Sequence, residues 1–361
     1  MAGQLIPGPA EPAVLPVTSV RERPARSAVA RIAARVGLVV LKRAVLLATL
    51  LAVVFVGVEL LPGDAAGATS ERGESAADLA RRRETLGLDR PVLVRFWDWM
   101  SGLPTGDLGT SAHGGRVTDL LTTAFPNTLV LSGTALVLTA LLSLTFASCA
   151  ALRPEGRLDR IVTGASTAVF AVPEFVVAVA LVLVLSLWTG WLPAVTLTDG
   201  DGDPASWTML VLPVLALTIP QTGWNTRIAR AALADEARAP YVEAAVFDGL
   251  SPRRVLLLHV LPGALPTIAT GLATSSGVLL GGAVAVETIF NYPGIGSVSA
   301  SAVADRDTPV IAGVTVLAGA AITVVLLVAD LLRPAGSGPQ MTVRSPADFL
   351  SPPRRTDGGR S

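Results

Sequence analysis

The chain has 361 residues, of which 51% are hydrophobic and only 16% are charged. Soluble domains carry about 25% charged residues, so this composition excludes an ordinary soluble enzyme and predicts a membrane protein. The formal net charge is zero at pH 7, so the sequence gives no electrostatic reason to expect a nucleic-acid partner.

Metal-binding side chains are scarce in this sequence. Cys149 is the only cysteine and lies within an apolar run, and the two histidines, His113 and His259, are far apart. One cysteine forms neither an internal disulfide nor a cysteine-based zinc site. We therefore expect no metal site, and we expect Cys149 to pack as a small buried apolar side chain.

Six segments are long and apolar enough to cross a membrane, which takes about 20 apolar residues. The fourth contains Pro213 and Pro220, and the fifth is rich in small residues. The sequence thus predicts an all-α, polytopic membrane protein with about six transmembrane helices. The predicted spans are 44–61, 128–152, 161–187, 208–226, 267–290 and 310–332.

Basic residues are distributed unevenly between the two sides of this arrangement. With the N-terminus inside, 20 of the 28 lysines and arginines fall in the cytoplasmic pieces. Cytoplasmic loops are enriched in basic residues, so both termini are predicted to be cytoplasmic. Residues 1–35 and 333–361 are rich in proline and arginine without a helical period, which predicts disordered tails around a transmembrane domain at 36–332.

The external segment 62–127 is too long for a simple turn between two spans. It contains a polar helix candidate at 75–86 and the aromatic stretch F-W-D-W at 96–99. Tryptophan favours the membrane interface. These features predict a small external subdomain that rests on the bilayer, with a long mobile loop as the alternative.

The cytoplasmic loop 226–265 carries the most specific pattern in the chain. Pro240 suits the first turn of a short helix, and Gly249 suits the left-handed position just after its end. Ser251 and Pro252 suit the N-cap and first position of a second helix. We therefore predict two short helices joined by a bend at Gly249.

The side chains of this loop predict how the two helices are exposed. The first helix has small residues at 244 and 245, which permit close approach by the surface of another protein. In the second helix Arg253 and Arg254 are expected to stay in water. Val255, Leu258 and Leu261 are expected to form an apolar stripe.

This spacing resembles the EAA loop of permeases from binding-protein-dependent ABC importers. The family pattern is E-A-A, three residues, glycine, nine residues and I-x-L-P. The matching residues are Glu243, Ala244, Ala245, Gly249, Leu261 and Pro262. His259 stands where the pattern has isoleucine, which resembles the oligopeptide, dipeptide and nickel branch.

Other segments are similar to the first permease subunit of that branch, and the resemblance covers 36–332. They are L-L-P-G-D at 60–64, L-G-L-D-R-P at 86–91, G-D-L-G-T-S at 106–111, F-P-N-T-L at 125–129 and V-E-T-I-F-N-Y-P-G-I-G at 286–296. The chain departs from the family at Glu174, where small polar residues are more usual, and lacks the D-P-R ending after the last span.

The resemblance implies a permease subunit of a bacterial plasma-membrane importer for peptides or a related solute such as a nickel chelate. It implies a second homologous permease, two cytoplasmic ATPases that receive the EAA loop, and an external substrate-binding protein. The only lysine, Lys42, lies between Leu41 and Arg43, so the chain lacks a P-loop. We therefore expect that it is not an enzyme, that it binds no cofactor, and that its partners use the ATP.

The resemblance assigns coupling to the ATPases to one set of residues. These are Glu243, Ala244, Ala245, Gly249, Arg253 and His259. Simpler roles stay open: Glu243 as a helix cap, Arg253 as a solvated charge and His259 as a packing or hydrogen-bonding group.

A second set lies inside the spans, where charged groups are costly to bury and small residues favour close helix packing. The candidates for the translocation pathway are Glu174, Ser275, Ser276, Gly281 and Gly282. A paired structural carboxylate is the alternative for Glu174, and helix packing is the alternative for the others. Near the span ends, Glu59, Glu287 and Asp330 are expected to reach interfacial water or to cap a neighbouring element.

Two other classes of function fit the sequence less well than an importer permease. An ion-coupled secondary transporter commonly has internal repeats, but the sequence shows no convincing repeat. That function would also leave the loop 226–265 unexplained. A membrane scaffold or an intramembrane enzyme is the third alternative, and neither His-Glu-x-x-His nor Gly-x-Ser-x-Gly occurs in the chain.

Overall fold

The computed structural model describes residues 25–60, 63–70, 74–200 and 202–332. Within those ranges every regular element is a helix, and the only extended pairings are two isolated bridges, Thr110 with Arg116 and Thr198 with Pro204. The predicted all-α class is therefore confirmed. Residues 1–24 of the predicted tail at 1–35, and the whole predicted tail at 333–361, lie outside the described residues.

Four helices precede the long helix that begins at Val117. They are α1 (Ala25–Glu59), α2 (Ala65–Ala68), α3 (Ala76–Thr85) and α4 (Val92–Gly102). Helix α1 begins well before the predicted boundary at residue 36. Helix α3 matches the candidate at 75–86, since Ser75 is its N-cap and accepts a hydrogen bond from the amide of Asp78.

Four helices form the middle of the chain. They are α5 (Val117–Ala151), α6 (Arg157–Phe170), α7 (Glu174–Leu181), which continues as a π-helical segment to Trp188, and α8 (Thr208–Glu236). Helix α5 starts eleven residues before the predicted span at 128, so the end of the predicted external segment is helical.

Five helices complete the described part. They are α9 (Pro240–Phe247), α10 (Pro252–Val255), α11 (Leu261–Phe290), α12 (Ile295–Ala304) and α13 (Thr308–Leu332). A π-helical segment, Leu256–Val260, joins α10 to α11. The second predicted short helix is therefore the beginning of one helical run, Pro252–Phe290, which is long and apolar enough to cross a membrane.

Among the described residues, four helical runs satisfy the length and apolarity expected of a membrane span, or five if α6 and α7 count as one bent span. The four are Gly37–Val58, Val117–Ala151, Pro252–Phe290 and Thr308–Val328. The predicted fourth span lies in α8, which at 29 residues is long enough but carries buried polar residues such as Gln221 and Asn225. The count of six spans and the location of the termini stay predictions.

The predicted span 161–187 is not one straight helix, because α6 and α7 meet at an angle of 96°. Helix α6 ends at Phe170 and α7 begins at Glu174, directly after Pro173. Proline lacks an amide donor and disfavours helical geometry in the residue before it, so a break at this position follows from the sequence.

Helix α8 lies at the centre of the helical packing, against α5, α6, α7 and α11. Its contacts include polar groups: the side-chain amide of Asn225 donates to the hydroxyl of Ser275 in α11 at 2.7 Å. Polar side chains inside a helical bundle hydrogen-bond across helices. The polar sequence of α8 therefore fits a helix that is enclosed by its neighbours.

The described parts of the segment between α1 and α5 pack against α1. Phe55 of α1 packs against Phe96 and Trp99 of α4, with ring centroids 5.3 and 5.6 Å apart, and the indole nitrogen of Trp99 donates to the carbonyl of Leu108 at 2.9 Å. These contacts fit the predicted subdomain better than a loop without packing. Its predicted place on the bilayer stays a prediction.

The prediction for Cys149 is wrong, since its side chain is exposed on α5. An apolar run in a membrane helix has lipid-facing positions that are as apolar as the buried ones, so hydropathy does not separate the two.

Candidate functional site

Helix α9 contains the E-A-A residues and has one buried and one exposed face. Val242 and Ala245 are buried, whereas Glu243 and Ala244 are exposed and Phe247 is 80% exposed. We call Glu243, Ala244 and Phe247 the outer face of α9. The structure places Ala244 on the exposed face and Ala245 on the buried face, so only Ala244 is open to another protein.

The bend after α9 has the predicted geometry. Gly249 has a φ of +77°, and a Cβ there would meet nothing within 4 Å. Its amide donates to the carbonyl of Val246 at 3.0 Å. Glycine is thus required by the left-handed backbone and not by crowding.

Helix α9 is held to its neighbours by the side chain of Tyr241. The hydroxyl of Tyr241 donates to the carboxylate of Glu236 at the end of α8 and lies 3.3 Å from the carbonyl oxygen of His259. The hydrogen bond to Glu236, with smaller contributions from desolvation and the nearby charge, raises the pKa of Tyr241 to about 12. The side chain of Tyr241 therefore links α9 both to α8 and to the run that leads into α11.

The second helix starts where predicted, with Ser251 before Pro252, although the Ser251 side chain makes no capping hydrogen bond. Arg253 and Arg254 are exposed as expected. The predicted apolar stripe is wrong at one position, because Leu258 is 64% exposed.

The π-helical turn determines which side chains of this helix are buried. They are Val255, Leu256 and Val260. A π-helical turn rotates the following side chains away from the α-helical register, which turns Leu258 outward. His259 is half-buried, and its Nδ1 has no hydrogen-bond partner among the described residues.

The candidate pathway residues fall into two groups. Glu174 lies beside α11, since a Cβ on Gly282 would be 2.8 Å from its carboxylate, and the neighbouring Gly281 faces open space. Ser275 and Ser276 are buried: Ser275 accepts from Asn225, and Ser276 donates to the carbonyl of Ala273. The structure thus brings Glu174 and the glycine pair together and places the serines within the helix packing.

Glu287 caps a neighbouring helix, which was one of its two expected roles. Its side chain is fully buried, accepts from the hydroxyl of Thr128 at 2.7 Å, and accepts from the amides of Gly296 and Ser297 in the first turn of α12 at 2.7 and 3.2 Å. The side chains of Glu59 and Asp330 lie outside the described part of the chain.

This network joins two motifs that are distant in sequence. Thr128 belongs to F-P-N-T-L and also accepts from the amide of Ile295, while the hydroxyl of Tyr292 donates to the carbonyl of Asn127. The segments 125–129 and 286–296 therefore form one structural unit. The sequence contained both motifs but gave no sign that they touch.

An ion pair between α6 and α8 was missed by the sequence analysis. Arg230 donates from Nε and Nη2 to the two carboxylate oxygens of Asp159, each at 2.9 Å. The partners are 71 residues apart, so no local spacing could have indicated the pair.

Most of the chain matches two related protein families. The family described as "Binding-protein-dependent transport system inner membrane component" matches residues 143–335. The N-terminal domain that accompanies it matches residues 36–132. The chain belongs to this family. It is a multi-pass permease subunit in the bacterial plasma membrane, and such subunits work with an ATPase and a substrate-binding protein and are not enzymes themselves.

Curated relatives agree with this assignment. The chain is 32% identical to a probable peptide ABC transporter permease from Sinorhizobium fredii, over 82% of this chain and 96% of the relative. It is 31% identical to the oligopeptide permease AppB of Bacillus subtilis, over 77% and 90%. It is 33% identical to the glutathione permease GsiC of Salmonella typhimurium, over 82% and 96%.

A solved structure shares the fold. An inward-facing form of the MetNI methionine ABC transporter aligns with a TM-score of 0.50 at 17% identity, over 59% of this chain and 94% of that chain. At this identity the likeness concerns the fold alone.

Proposed function

We propose that this chain moves peptides into the cytoplasm as one of two homologous permeases, driven by two ATPases that dock on α9. The exposed outer face of α9 carries the proposal. Three relatives named for peptide, oligopeptide and glutathione transport support the substrate class. No finding supports the ion-coupled alternative.

The outer face of α9 has the composition of a docking surface. Phe247 is 80% exposed beside the small side chain of Ala244 and the carboxylate of Glu243. Exposed aromatic side chains are enriched at protein interfaces, where they act as anchors. Arg253 is exposed on the next helix and would meet the same partner, whereas the half-buried His259 supports the loop from within.

The anchoring of α9 gives a route from the ATPases to the membrane helices. Tyr241 links α9 to the end of α8 and to the run into α11. Helices α8 and α11 also pack on each other. Closure of the ATPases would therefore shift α8 and α11 together, with ATP bound by the partners and no cofactor held by this chain.

Glu174 and the glycine pair support a pathway beside α11. Glu174 is half-exposed in a run of apolar helix, and its side chain makes no hydrogen bond among the described residues. A carboxylate facing lipid costs about 2.5 kcal/mol or more. The face with Glu174, Gly281 and Gly282 would therefore meet water or the second permease.

The test is co-purification of the ATPases with the tagged chain from its native membrane in mild detergent. We expect Gly249→Asp to abolish ATPase recovery while the second permease is still recovered, because a side chain strains the bend at φ +77°. Gly190→Asp is the matched control, since Gly190 also has a positive φ and open space but lies far from α9 in the chain. Equal recovery with both variants would contradict docking through α9.

A further inference from the structure

Two adjoining cavities lie in the subdomain between α1 and α5. The larger, of about 620 Å³, is lined in part by Phe55 and Trp99, and the smaller, of about 280 Å³, is lined largely by polar residues. Arg95 and Arg306 line both. Small-molecule sites commonly measure about 300–1,000 Å³ and combine an apolar lining with a few polar groups.

Arg306 is held in this position by its neighbours on either side. The carboxylate of Asp305 is 2.9 Å from Nε2 of His113, and that of Asp307 accepts from the hydroxyl of Ser111 and the amide of Ala112 at 2.6 and 2.7 Å. Arg306 itself has a φ of +54°. A residue other than glycine keeps such a backbone only where its surroundings fix it, and such residues concentrate at functional sites.

The guanidinium of Arg306 forms no ion pair with a carboxylate among the described residues. Its Nε is buried and has no hydrogen-bond partner among the described residues. Two of the carboxylates that line the cavities are engaged elsewhere: Asp64 pairs with Arg83 at 2.6 Å, and Asp98 pairs with Arg90 at 2.6 Å.

We propose that the two cavities form one binding site for a small molecule with a free carboxylate, which Arg306 holds while the apolar part of the ligand covers Phe55 and Trp99. Guanidinium groups recognise carboxylates through paired, charge-assisted hydrogen bonds. A single carboxylate side chain of a docked protein would fill only the smaller, polar cavity, so the larger cavity favours a separate small ligand. The site is distinct from α9 and from the face with Glu174.

The test is calorimetric titration of the purified full-length chain in lipid nanodiscs with tri-alanine and with its C-terminal amide. We expect tri-alanine to bind and the amide to bind at least about tenfold more weakly, because it lacks the carboxylate. Arg306→Gly should weaken tri-alanine binding by a similar factor without lowering the melting temperature, since glycine suits the positive φ. Arg81→Gln is the control, since Arg81 is exposed on α3 and lines neither cavity.

Equal affinity for the peptide and its amide, no binding of tri-alanine, or unchanged binding by Arg306→Gly would each overturn the proposal. Loss of binding-protein capture by Arg306→Gly, without any tripeptide binding, would instead assign Arg306 to a protein contact. The titration contains no ATPase, so its failure leaves the proposed transport function standing, and a failure of transport leaves this site testable.

Discussion

At the scale of single residues, the network around Glu287 shows how a buried carboxylate is kept in an apolar protein. Each of its oxygens accepts a hydrogen bond, from Thr128 or from the first amides of α12. Buried charges persist where such partners exist. The close approach of α12 depends on Gly296, because a Cβ there would lie 2.6 Å from Cα of Val284.

We therefore predict that Gly296→Ala lowers the thermal stability of the chain in detergent. Overpacking a close contact costs about 1–3 kcal/mol, and the backbone of α11 cannot swing away as a side chain would. Gly133→Ala in α5 is the matched control, with nothing within 4 Å of its Cβ position. It should be neutral or stabilising by up to about 1 kcal/mol. Equal unfolding temperatures for the two variants would show that α12 does not need this approach.

At the scale of elements, the pair Asp159–Arg230 ties α6 to the central helix α8. Both side chains are largely buried, with 12% and 20% of their surface exposed. Asp159 also accepts from the amide of Glu155 at 2.9 Å. Removing one partner leaves the other charge without its counterpart at a buried position, which is the costly case.

A double-mutant cycle tests this tie. Asp159→Asn and Arg230→Gln should each lower the free energy of unfolding by about 1–3 kcal/mol. The double variant should lose clearly less than the sum, because the second change removes a charge that is already unpaired. Thermal unfolding in detergent measures all four proteins, and additive losses would mean that the two side chains act independently.

Elements with local signals could be predicted from the sequence, and those set by distant contacts could not. Pro240, Gly249 and Pro252 gave the ends of α9 and the start of α10, because helix caps depend on neighbouring residues. The exposure of Leu258 was mispredicted because a π-helical turn leaves no local pattern. Pro173 indicates a break in the helix, but the segment 161–187 is apolar on both sides of it, so hydropathy alone predicts one span.

The candidate site was predictable to a similar extent. The E-A-A spacing located the outer face of α9, but hydropathy could not say that Ala244 is exposed and Ala245 buried. Among the pathway candidates, Glu174 and Gly282 lie close together although they belong to two different helices. Such contacts become visible only when the helices are packed.

At the scale of the whole molecule, the orientation in the membrane decides which partner meets which surface. The charge distribution predicts that the segment between α1 and α5 is external and that α9 is cytoplasmic. Both surfaces offer exposed side chains for labelling: His113 is 62% exposed at its side chain, and Phe247 is 80% exposed.

We predict opposite labelling at these two positions in intact cells. The background is Cys149→Ala, because Cys149 is the only native cysteine and is exposed. A membrane-impermeant maleimide should react with His113→Cys in intact cells, and with Phe247→Cys only after permeabilisation. The reverse pattern would invert the topology and remove α9 from the reach of cytoplasmic ATPases.

The most direct test of the central claim is uptake of a labelled tripeptide by proteoliposomes that contain the complete complex with its binding protein. We predict uptake that requires ATP on the side of the ATPases, is unaffected by collapsing ion gradients, and is lost with Gly249→Asp but kept with Gly190→Asp. Uptake driven by an imposed ion gradient without ATP, or full activity of Gly249→Asp, would contradict a peptide permease driven through α9.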